Sequence, residues 1–157
     1  SGADLSGTNL SKAELSGANL SGADLSGAEI DNRALLTLNT GEWSGNPSLG
    51  ERINAWHARG GRLPYSFAFF EDEKLIGANL SGANLSGVYL LRANLSGVNL
   101  CGANLSGAHL EKPRIREAKI DLKALGTFNY GHWKRKTIKQ KIAYWKKWGG
   151  IVVDGEK

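Results

Sequence analysis

Leucine or isoleucine occupies every fifth position from Leu5 to Ile30, and again from Leu75 to Ile120. Two places before most of these stands Ala or Val, as at Ala3, Ala18, Ala83, Val98 and Ala103. Asn or Asp comes between, and Ser-Gly usually follows. A period of five suits neither straight element. On a helix, at about 100° per residue, the leucines would spiral around the axis. On a strand five is odd, so successive leucines would fall on opposite faces. Both conflicts vanish if the chain bends once per unit. Ala and Leu, two apart, then share the inward face of a short extended segment. Ser-Gly makes the corner, because glycine tolerates turn dihedrals. The pattern predicts a coiled β-solenoid in which every leucine-type residue of the period points inward.

The units, such as Ala83-Asn84-Leu85-Ser86-Gly87, resemble the repeats of the pentapeptide-repeat family. That resemblance implies a right-handed, four-sided β-helix with four repeats per coil. The expected fold class is therefore mostly β: a right-handed four-sided β-solenoid with two short helical inserts. Residues 1–32 and 73–122 are the expected coils, 33–72 and 123–157 the inserts. Ser1-Gly2 matches the last two places of a unit, so the coils are expected to begin before residue 1. Tyr89 and His109 stand in the Asn/Asp place, Arg92 and Lys112 in a Gly place, and Cys101 in a Ser place. All five read as outward surface variation.

The inserts are copies of one another. IDNRALLTLNTGEW (30–43) and IDLKALGTFNYGHW (120–133) share Ile, Asp, Ala, Leu, Thr, Asn, Gly and Trp at a constant offset. After a one-residue gap, LGERINAWHARGG (49–61) aligns with IKQKIAYWKKWGG (138–150). Ser48 with Glu51, and Thr137 with Gln140, spell the capping box that opens a helix. Apolar residues follow at i, i+4 and i+7: Leu49, Ile53 and Trp56, then Ile138, Ile142 and Trp145. Gly60-Gly61 and Gly149-Gly150 supply the stops. Helices are expected near 49–59 and 138–148, with β-prone runs after them at 63–70 and 151–153. Trp43, Trp56, Trp133 and Trp145 recur at matched places, as core residues of a duplicated unit would. Trp148 aligns with Arg59 and is the candidate for an exposed binding aromatic. The second insert has a further role open to it, capping a coil end whose strand groups would otherwise be unpaired.

Composition narrows the function. The 157 residues include 21 Gly and a 41% hydrophobic share, so the core rests on leucine and small side chains. No run of 18 apolar residues marks a membrane span, and no signal-peptide pattern opens the chain; a cytoplasmic location is the default. The single Cys101 rules out an internal disulfide and a cysteine-rich metal site. His57, His109 and His132 are far apart, the serines are corner residues, and no phosphate-loop motif follows a strand. No enzyme activity, cofactor or metal is expected.

Charge is uneven. Residues 1–32 carry −4, residues 33–111 are balanced and residues 112–157 carry +9, giving the net +5. Such asymmetry suggests an anionic partner for one end. The expected function is an interaction scaffold, a rigid solenoid presenting helical inserts to a protein partner. Its basic C-terminal module offers Lys134, Arg135, Lys136, Lys139, Lys146, Lys147 and Trp148 to an anion such as nucleic acid. Bases contact phosphates and an aromatic ring stacks on a nucleobase. The competing reading makes these lysines a solvated face, supported by a first insert that is neutral. The resemblance suggests another role, mimicry of DNA to bind a type II topoisomerase, although only residues 1–32 are acidic. A carbohydrate or cell-surface module would rest on Trp148 and Tyr130. Oligomers through solenoid ends are a further expectation.

Overall fold

The computed structural model describes residues 2–38, 47–63, 75–90, 93–110 and 114–153. They fall in two compact units, Ser1–Phe67 and Ala68–Lys157. Each unit couples five-residue repeats to a helical module.

In the repeats the chain returns to register after twenty residues. Parallel bridges join Asp4 to Asp24 and Asn9 to Glu29 in the first unit. In the second they join Asn84 to Asn104, Tyr89 to His109, and Asn79 to Asn99 to Lys119. The bridging residue is always the one in the Asn/Asp place. Where that residue is Asn or Asp its side chain has a second task, accepting from the backbone N–H two residues on: Ser6 to Asp4 at 3.0 Å, Ser81 to Asn79 at 3.1 Å. A bond from the Ala position to the preceding Leu carbonyl closes the corner, as from Thr8 to Leu5 at 3.1 Å. The glycine in that corner has positive φ, for example 66° at Gly7, as the third residue of a type II turn must. The repeat is thus a turn held from both sides by its own polar residues.

That economy overturns the expectation of a mostly β, right-handed four-sided solenoid. Among the described residues regular strand amounts to β1 (Lys119–Asp121) and β2 (Ile151–Val153), three residues each and paired in parallel. Four α-helices outweigh them: α1 (Asn32–Thr37), α2 (Leu49–Ala58), α3 (Leu122–Thr127) and α4 (Ile138–Lys147). The reason is local. A five-residue unit gives two residues to a corner and one to a bridge, and a lone bridged residue does not make a strand.

The inward stack holds nonetheless. Leu85, Leu95, Leu100 and Leu105 are wholly buried, and so are Ala83 and Ala93. Leu5 and Leu10, in the first coil described, are only half-buried. At about 25 cal/mol per Å² of apolar surface, the leucines supply most of the driving force here.

The helical modules fold alike. α2 and α4 open with complete capping boxes at Ser48/Glu51 and Thr137/Gln140. Trp56, Trp133 and Trp145 are buried, as is Ile53; Ile138, expected on the apolar face, is instead 44% exposed. Trp43 and most of the 63–70 run lie outside the described residues; the 151–153 run is β2. The second glycine of each stop serves the tryptophan. A Cβ at Gly61 or Gly150 would overlap the indole of Trp56 or Trp145.

Candidate nucleic-acid interface

The C-terminal module is built on the edge of the last coil. Inside the stack, the backbone N–H groups of Gly82, Leu85 and Gly87 donate to the carbonyls of Cys101, Asn104 and Ser106, each at 2.9 Å. One coil later the matching groups of Gly102, Leu105 and Gly107 meet no further coil, because the chain has turned into α3. Side chains stand in for the carbonyls. Asp121 Oδ2 accepts from Gly102 at 2.8 Å, Thr127 Oγ1 from Leu105 at 2.8 Å, and Asn129 Oδ1 from Gly107 at 2.7 Å. The first unit repeats the device: Asp31 Oδ2 accepts from Lys12 at 2.7 Å and Thr37 Oγ1 from Leu15 at 3.0 Å. Asp121 and Asp31 also cap α3 and α1 through their other oxygens. Two of the residues shared by the two copies, Asp and Thr, are therefore edge caps in both, and Asn129 is one in the second. Trp133 belongs with them. Its Nε1 donates to the Leu110 carbonyl at 3.0 Å, where the residue three further on is Pro113 and has no N–H to give.

On this base α4 packs through Trp145, whose Nε1 donates to the Ala118 carbonyl at 3.3 Å. Lys141 is buried, and its Nζ donates to the carbonyls of Gly126, at 3.1 Å, and Phe128. Burial pushes its ammonium below the usual lysine range. The equivalent Arg52 donates to the Leu38 carbonyl, so a base here closes the end of the preceding short helix in both copies.

The remaining bases face water. Lys134, Arg135, Lys139, Lys146 and Lys147 are exposed, and Lys136 is half-buried with Nζ 5.8 Å from the centre of the Tyr144 ring. Among the described residues the ion pair present is Arg116–Glu117, so no carboxylate there neutralises the cluster. Lys146 and Lys147 also sit in the last turn of α4, where cations suit the helix dipole. Trp148 is 40% exposed and lies 6.2 Å from Tyr144, centre to centre.

Two aromatic groupings were not anticipated as sites. Tyr89 stacks on His109 at 4.0 Å and His109 meets Tyr130 at 3.6 Å. His132 lies 4.4 Å from Tyr144. The twenty-residue spacing of Tyr89 and His109 was the available signal for the first. Three of the five acids of residues 1–32 lie in turns: serine hydrogen bonds to Asp4, Glu14 and Asp24 hold their carboxyls below the ordinary range. Partial burial, with Asp121 nearby, pushes the Cys101 thiol up. Among the described residues no cluster of three His, Cys, Asp or Glu could hold a metal ion. Nor is any helix there long and apolar enough to cross a membrane.

Against known proteins, the model of the family "Pentapeptide repeats" matches residues 1–32 and 74–112 in 8 copies. No curated protein and no solved structure matches the chain.

Proposed function

Because this chain belongs to the pentapeptide-repeat family, we propose that it is a non-enzymatic interaction scaffold that contacts nucleic acid through the basic face of its C-terminal module. One observation carries the reading: five exposed bases at 134, 135, 139, 146 and 147, without a carboxylate partner among the described residues, share one module with an exposed tryptophan. The buried base of the same helix, Lys141, is spent on structure, so the exposed ones are separable from the fold. Bases of this kind bind phosphates by releasing counterions, which gives sequence-tolerant, salt-sensitive affinity.

A gel shift at low salt with the full chain tests it. The wild type is expected to retard DNA, and a variant with Lys139, Lys146 and Lys147 changed to Gln is expected to lose most of that retardation while keeping its helical spectrum. Equal retardation by both would refute the assignment. No retardation by either would reduce the lysines to a solvated face.

A further inference from the structure

The basic face is accompanied by rings, and their arrangement selects between forms of nucleic acid. Tyr130 is 46% exposed and Trp148 40% exposed, while His132 is exposed as well. A chain of ring contacts joins His132 to Trp148, His132 to Tyr144 at 4.4 Å and Tyr144 to Trp148 at 6.2 Å. Tyr130 is backed by His109 at 3.6 Å, which is itself stacked on Tyr89. Each outer ring is thus braced on one side by another ring and open to solvent on another. Such rings are already held in place, so stacking a base on them costs little side-chain entropy. A duplex keeps its bases stacked on one another and offers these rings nothing but its backbone. An unpaired strand offers base faces, and every base has one.

The cations divide accordingly. Counting about 100° per residue around α4, Lys147 stands about 60° from Tyr144, while Lys139 and Lys146 stand well over 100° away. Lys136 reaches over the Tyr144 ring itself. Lys147 and Lys136 therefore border the aromatic side.

We infer that the preferred partner of this face is single-stranded nucleic acid, with bases stacked on Tyr130 and Trp148 and phosphates held by Lys136 and Lys147. The inference rests on the nucleic-acid reading above and adds the form of the strand and the stacking residues.

The test is fluorescence anisotropy of the full chain with three labelled probes at one salt concentration. They are a thymidine oligonucleotide of about ten nucleotides, within the span one such surface covers, an abasic strand of the same length, and a duplex of the same length. The thymidine strand is expected to bind at least about tenfold more tightly than the abasic strand, since one stacked base is worth roughly that factor. Tyr130→Leu and Trp148→Leu are each expected to weaken thymidine binding several-fold and to leave abasic binding unchanged. Both residues lie at the surface, so the fold is kept, and an unaltered helical spectrum checks this. Lys147→Gln is expected to cost the thymidine strand more than Lys146→Gln does. Equal affinity for thymidine and abasic strands, or a duplex preference untouched by the two leucine variants, overturns the stacking inference and leaves the charge reading standing. Absence of binding to all three probes at low salt overturns both.

Discussion

Within a single repeat, the fold depends on a corner that only certain residues fit. Lys12 occupies the glycine place with φ of 66°. A side chain in this left-handed region costs about 1–2 kcal/mol, while glycine's greater freedom in the unfolded chain offsets part of any gain. Lys12→Gly is therefore expected to stabilise the protein by about 0.5–1 kcal/mol, read as a raised urea midpoint at unchanged slope. The Asn/Asp place sets a second expectation. Asp4 and Asp24 accept serine hydrogen bonds that lower their carboxyls. A carboxyl lowered in the folded state adds stability above its unfolded value, and that contribution is lost as pH falls through the folded one. Asn accepts the same bond elsewhere, as at Asn84 and Asn104, without titrating. Urea midpoints measured between pH 5 and pH 2 should fall less for an Asp4→Asn/Asp24→Asn double variant than for the wild type. Parallel falls would show that these turns do not sense acid.

For the elements, the informative feature is how a run of coils stops. Thr127 Oγ1 takes the Leu105 N–H and gives its own proton to the Ala124 carbonyl, at 2.7 Å. Thr127→Val keeps the shape and orphans both groups, at a cost of about 1–3 kcal/mol for a buried donor left unsatisfied. Thr127→Ser keeps both bonds and should recover most of the loss. Destabilisation by Ser but not by Val would mean that the methyl group, not the hydroxyl, matters. Such caps explain what was legible in the sequence. Ser48/Glu51 and Thr137/Gln140 could be read because a capping box is local, its partners three residues apart. α1 and α3 were not foreseen, although their residues matched across the copies. A six-residue helix is held by distant partners, and Asp31 finds Lys12 nineteen residues back. The strand content was overestimated because leucine periodicity reports what points inward, not how many consecutive residues are bridged. Ile138 was misplaced for a related reason: the turn of α4 that closes α3 uses the Lys141 ammonium in place of an apolar side chain.

In the molecule as a whole, charge is partitioned by task. Among the carboxylates of residues 1–32, those of Asp4, Glu14 and Asp24 serve corners while keeping their negative charge, and that of Asp31 serves a helix cap. The bases of residues 112–157 include one buried in structure and five of the 134–147 stretch facing water. The asymmetry was visible in composition, but its division was not, because burial of Lys141 depends on carbonyls at 126 and 128 that only the folded module brings near. One run of ring contacts was hidden in the same way, with Tyr89, His109 and Tyr130 dispersed along the chain and adjacent only after coiling.

The most direct measure of the proposed function is the salt dependence of binding to a short duplex, where stacking plays no part. With about four phosphates engaged by the exposed bases, the log–log slope of affinity against salt is expected near −3 to −4. Changing Lys139, Lys146 and Lys147 to Gln should flatten it by about one unit for each phosphate no longer engaged. A wild-type slope near zero, or the same slope for the triple variant, would contradict a basic nucleic-acid face on this module.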